Sequence, residues 1–222
     1  LKDRIGSQVT THYPRTIEDG IAITEMESWT ERSRNGDGVQ VEIPALFHRI
    51  VEQTAIEARA SEHVDQKSGV SARLTIRCRE PLVSNAERRA IAAGERSVQP
   101  RVCDLHAMVP AMTGRLELVY EGEQEGAQEV ANALVSRAIR SLFSDYFPTP
   151  AGRPGESGDD TDVYSPIIAW FDRGNTLSTS DRISDEDYRD ALGNVPGLPE
   201  FVEAHGPALL SDCAPPVAPE FV

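Results

Sequence analysis

The chain has 222 residues and a formal net charge of −14, with 39% hydrophobic and 26% charged residues. That composition is enough for a core, and no apolar run approaches the roughly 18 residues of a membrane helix. The negative charge opposes a phosphate backbone and argues against nucleic acid as a partner. In chain order, Ile5 to Tyr13 (IGSQVTTHY) is β-rich and ends at Pro14, so a short strand is expected over residues 8–13. Thr16 then has the side chain to cap a helix, with Glu18 and Asp19 in its first turn and Ile17, Ile21, Ala22 and Met26 on one face. Residues 31–38 (ERSRNGDG) read as a polar loop.

Pro44 suits the start of the next helix, the clearest in the chain. Phe47, Ile50, Val51, Thr54, Ala55 and Ala58 recur at helical spacing, whereas His48, Arg49, Glu52 and Glu57 fall mainly on other faces. A further helix begins near Ser71. Pro81 either kinks it or starts its successor, and Gly94 ends the pattern. Val102–Ala111 reads as a short helix, and Thr113–Gly122 fits strand or helix. From Gly126 a long helix runs to Phe147, with Val130, Ala133, Leu134, Ala138, Leu142, Phe143, Tyr146 and Phe147 expected on its buried side, until Pro148 and Pro150 stop it. Residues 148–163 have the Pro, Gly and Asp content of a mobile linker. Beyond it, YSPIIAWF is apolar enough to dock on the helices, Ser184 caps a short helix, and another helix is expected over Pro199–His205. The acidity is concentrated at this end: residues 148–222 hold 14 acidic and 4 basic residues, against 22 and 18 in residues 1–147.

Self-contained chemistry is scarce. The five histidines form no close ligand pair, and Asp159, Asp160 and Asp162 lack the remainder of an EF-hand loop. Three cysteines at wide spacing suit a reducing compartment, and GVSAR is not a nucleophile elbow. The only lysines, Lys2 and Lys67, follow Leu1 and Gln66, so the chain has no Gly-Lys-Ser/Thr phosphate loop.

Two segments resemble AAA+ ATPases of the magnesium-chelatase subunit I and MoxR-like type. Leu1, Asp3, Arg4, Ile5 and Gly6, followed by Val9–Tyr13, Pro14 and Arg15, are similar to the end of that family's α/β core. The resemblance makes Arg4 an arginine finger, catalytic in trans on the neighbouring subunit's γ-phosphate. Ser68-Gly69-Val70-Ser71-Ala72-Arg73 is similar to the Gly-x-Ser-x-Arg stretch that opens a lid helix. Arg73 would then be sensor 2 and contact the nucleotide phosphates of its own subunit, with Arg59, Arg77 and Arg79 as substitutes for that role. The fold so implied is mainly α: a helical AAA+ lid preceded by the last strand of a truncated α/β core. Residues 1–15 would end the core, 16–147 form the lid, 148–163 a linker, and 164–222 an acidic extension on which the family is silent.

The lack of an initiator Met fits a C-terminal fragment, and LKDRIGSQ has no signal-peptide pattern, so a cytoplasmic location is expected. The full protein would form a homo-oligomeric ring, expected to be hexameric, bind ATP and Mg²⁺, and remodel a partner protein or drive metal insertion. The fragment alone would bind neither cofactor and hydrolyse nothing. No metal site, nucleic-acid contact or membrane contact is expected. The alternatives are a σ54-type transcription activator fragment and a non-enzymatic helical interaction module.

Overall fold

In a computed structural model of the chain, the described residues are 6–7, 9–30, 38–148, 163–180 and 182–212, with side chains to residue 206. The expected loop at 31–38 and linker at 148–163 therefore lie almost wholly outside the described residues. The architecture is mainly helical. Its largest interface joins α2 (Ala45–Ala60) to α6 (Ala127–Tyr146), with α3 (Arg73–Ala93) packed against α2. Phe47, Ile50, Val51, Ala55 and Ala58 of α2 meet Val130, Ala131, Leu134, Val135 and Leu142 of α6 in one buried cluster. The helical spacing of these residues is what places them there.

Pro81 neither breaks nor restarts the helix, because α3 runs through it. Leu74, Cys78, Leu82, Ala86 and Ala90 keep one buried face across the proline, and that packing offsets the roughly 3 kcal/mol cost of a helix-interior Pro. Gly94 ends α3 at φ +72°: its N–H reaches Ile91 O while Glu95 N reaches Ala90 O, a Schellman closure. The chain then forms β2 (Ser97–Val98), which pairs in parallel with β1 (Gln40–Val41). A 3-10 helix at Val102–Met108 runs into α4 (Val109–Thr113). Residues 113–122 form no strand, and helix occurs only at their two ends. Leu118 makes an isolated antiparallel bridge to Val64, and α5 (Tyr120–Glu125) follows.

Three expectations need correction. Of the strand expected over 8–13, residues 9–13 form none; they are exposed, with no partner strand among the described residues, and a strand without one leaves its backbone groups unpaired. The apolar face expected for α1 (Ile17–Glu27) is not what attaches it. Met26 is 76% exposed, and only Gly20 and Thr24 are buried. Polar contacts hold α1 instead: Arg49 to Glu18 at 3.0 Å, His48 to Glu25 at 3.4 Å, and Arg79 to Ser28 Oγ at 2.6 Å. Finally, Glu52 is buried rather than on a solvated face, because α1 lies over it. The expected cap is present, since Thr16 Oγ1 accepts from Asp19 N at 3.1 Å.

The C-terminal region packs on the body. Tyr164 precedes α7 (Ser165–Asp172) and donates to Pro148 O at 2.7 Å. Its ring lies 4.9 Å from Phe201 of α9 (Leu198–Asp212), which stacks on Phe147 at 5.4 Å. Ser184 caps α8 (Asp185–Gly193) by accepting from Asp187 N at 3.0 Å.

Leu134 is 1% exposed at the centre of the α2–α6 interface. Leu134→Ala should cost about 2–5 kcal/mol, as large-to-small core changes do. Chemical denaturation checks this, and a midpoint equal to that of the native chain would remove this face from the core.

Candidate functional site

Segments far apart in sequence meet beside α2. Tyr13 reaches across to the start of the α3 region, where its Oη accepts from Val70 N at 3.1 Å. Gly69 has φ +71°, and a Cβ there would lie 2.5 Å from Tyr13 Oη. Glycine is thus required at 69 twice over, by the left-handed backbone and by the approaching phenol. Arg59 completes the junction. Its guanidinium lies 4.4 Å from the Tyr13 ring centroid, and its Nε donates to Val70 O at 3.3 Å.

Next to this junction is a cavity of about 330 Å³. Pro14, Ile17 and Ile56 give it apolar walls, while Arg15, Arg59 and Glu52 supply charge. Among the described residues Arg59 Nη2 is buried with no hydrogen-bond partner, a donor still to be used. Burial pulls the Arg59 pKa down, opposed by Glu52 and Tyr13, but a guanidinium remains a cation at neutral pH.

Glu52 is the unusual acid of the site. Gly20 of α1 passes so close that a Cβ there would clash with Glu52 Oε2. Oε1 accepts from Thr24 Oγ1 at 2.5 Å, and that hydroxyl lies 2.7 Å from Thr75 Oγ1. Burial pushes the carboxyl above its usual range, against the lowering effect of the two threonines and Arg59. A fixed cation beside apolar walls suits a ligand with both an apolar part and an anionic group.

Of the residues expected at the site, Arg4 lies outside the described residues. Arg73 is exposed in the first turn of α3, where its N–H donates to Ser71 Oγ at 3.2 Å. Tyr13 and Arg59 do not bring its guanidinium into the cavity lining, which Arg59 itself enters. Arg77 pairs with Glu80 at 2.8 Å and Arg79 with Ser28, so both serve local structure. Glu52 escapes sequence reading because a lone Glu beside apolar positions looks solvated. The one available signal is that it follows directly on Ile50 and Val51 at the edge of the buried face.

The raised pKa gives Glu52 a definite pH signature. A carboxyl whose folded pKa exceeds its unfolded one loses stability as pH rises from the unfolded value through the folded one. Glu52→Gln keeps an acceptor for Thr24 and carries no charge. Its stability relative to the native chain should therefore improve as pH goes from about 4 to about 8. Urea midpoints across that range test it; a pH-independent difference would show that Glu52 ionises as it does in water.

A scan of protein-family models and searches of curated proteins and of solved structures find no match to this chain.

Proposed function

We propose that the chain is the C-terminal part of a chelatase-like or MoxR-like AAA+ ATPase that works as a cytoplasmic ring. One observation carries this reading. The two segments that resemble the family, ending at Tyr13–Arg15 and beginning at Ser68–Gly69, are joined by the Tyr13–Val70 hydrogen bond beside a cavity. In such an ATPase, this is where core and lid meet over a nucleotide. The mainly helical architecture of residues 16–147 is consistent with a lid.

On this reading ATP and Mg²⁺ are held chiefly by the upstream core, since no Gly-Lys-Ser/Thr loop occurs here. Arg73 at the start of α3 approaches the phosphates of its own subunit, and Arg59 holds the lid entrance against Tyr13. Arg4 acts on the neighbouring subunit. A guanidinium delivered there stabilises the charge that develops on the transferred phosphoryl oxygens. Ring closure is therefore needed for turnover, and the work done is remodelling of a partner protein or metal insertion.

In the full-length ring, Arg4→Ala should leave ATP binding intact and lower hydrolysis by about 10³-fold or more. Arg73→Ala should weaken both nucleotide response and turnover. Mixing Arg4→Ala subunits with subunits lacking the phosphate-loop lysine should restore part of the activity, because some interfaces then pair an intact site with an intact finger. Rings that form normally yet stay inactive on mixing would remove Arg4 from the interface.

A further inference from the structure

A second polar cluster lies away from this cavity, where α8 meets the body. Arg89 of α3 is 0% exposed and Arg101 is 4% exposed. Arg89 Nη2 donates to Gln99 O at 2.7 Å and to Asp104 Oδ2 at 3.1 Å. Asp104 is saturated by its neighbours, accepting also from Asn85 Nδ2 at 2.7 Å and Arg101 N at 2.7 Å. Among the described residues Arg89 Nε is buried without a hydrogen-bond partner, and the other guanidinium donors turn to the α8 side. Arg89 Nη1 at 2.8 Å, Arg101 Nη2 at 2.6 Å and Arg101 Nε at 3.2 Å all converge on a single oxygen, Asp185 Oδ1. Arg101 Nη1 also donates to Ile183 O at 3.1 Å, and its guanidinium lies 4.4 Å from the Tyr188 ring centroid.

The charge count decides what this arrangement does. Within the body Asp104 bonds the Arg89 side chain, and Glu95 bonds Asp185 N, so Asp185 is the carboxylate that both guanidiniums share, and removing it strips Arg101 of the acid it bonds. Such a state is strongly unfavourable unless another anion enters. Meanwhile α8 itself buries no residue. Its head is placed by the ion pair and the Tyr188 ring, while its far end, with half-buried Ala191 and Leu192, packs on α9 and leads into the buried Val195, so replacing the carboxylate frees the head of the helix first. A cleft of about 490 Å³ opens beside the pair, lined by Glu95, Arg96, Ser97, Asp185, Glu186 and Arg189, and gives a route in from solvent.

We infer that Arg89 and Arg101 form an oxyanion socket that Asp185 fills from within the chain, making α8 a strap that an external carboxylate or phosphate displaces. The socket and α8 then compete for one site, so an anion that occupies the socket must loosen α8, and any contact that stabilises docked α8 must weaken the anion. Glu95 sets the preference. Its Oε1 accepts from Asp185 N at 2.7 Å, and its Oε2 is buried without a hydrogen-bond partner. That negative rim disfavours a doubly charged phosphate and favours a single carboxylate, the group that Asp185 itself presents.

The test is chemical rescue in the full chain. Asp185→Ala should lower the thermal midpoint in chloride and speed amide exchange in α8 by roughly tenfold or more, the scale expected when a docked segment opens. Acetate at matched ionic strength should restore the midpoint while α8 still exchanges fast, and phosphate should restore it less. The double variant Asp185→Ala/Arg101→Ala should show no anion response, and Glu62→Ala, an exposed change away from the socket, should behave as the native chain. Rescue by phosphate alone would keep the socket and make phosphate its ligand. An unchanged α8 in Asp185→Ala, or a midpoint equal in chloride, acetate and phosphate, overturns the inference. Should Asp185→Ala not fold, Asp185→Asn keeps the shape, and the same exchange and acetate measurements decide.

Discussion

The buried guanidinium of Arg89 is the constraint on which much of this structure turns. It is the largest fully buried side chain among the described residues, and a cation at that depth has to be surrounded by oxygen. The need for acceptors brings together elements with little apolar reason to meet. The Gln99 carbonyl fixes the path after β2, Asp104 fixes the first turn of the 3-10 helix, and Asp185 fixes α8. Burial pushes the Asp185 pKa up, but the hydrogen bonds and charges of Arg101 and Arg89 outweigh it and hold the carboxyl below its usual range. The pair therefore stays ionised throughout the physiological range, and the stability it adds is lost only as pH falls through that depressed value.

Glu52, a more deeply buried acid than Asp185, is handled in the opposite way. No arginine donates to it, and its neighbours are two threonine hydroxyls and the bare backbone of Gly20. Burial pushes both carboxyls up, yet their net shifts are of opposite sign, because directly bonded guanidiniums outweigh burial at Asp185 and none does so at Glu52. Both join to the main body a helix that fully buries no large apolar side chain. For α1 and α8 alike, attachment is specific in direction and register but modest in buried area, as expected of elements that can move.

Much of the helical framework could be read from residue spacing. Phe47, Ile50 and Val51 in α2, and Leu134 and Leu142 in α6, sit where a period of 3.6 puts them, and Thr16 and Ser184 cap the helices they precede. The polar burials could not be read in the same way. Arg89 belongs to an Arg-Arg-Ala run that looks solvated, although it falls seven residues after Leu82 and three after Ala86, on a face that is otherwise apolar. Asp185 lies in an acidic run where every residue looks like a solvated first turn. Its partners are about 80 to 100 residues away, a distance at which periodicity carries no information. The candidate site was legible in part. The Gly69 and Arg59 positions were open to inspection, but the Tyr13 contact that gives them meaning is made only in three dimensions.

The pairing of α2 with α6 also bears on how the chain is made. At roughly 5–20 residues per second, a ribosome that has completed α2 at Ala60 needs about 4–17 s to reach Tyr146. For that interval Phe47, Ile50 and Val51 lack the helix that covers them, and α3 shields only part of the face. Native topology here asks the nascent polypeptide to hold a sticky stripe in waiting. Folding in the cell should accordingly be more sensitive to translation speed and chaperone supply between residues 60 and 146 than anywhere earlier in the described chain.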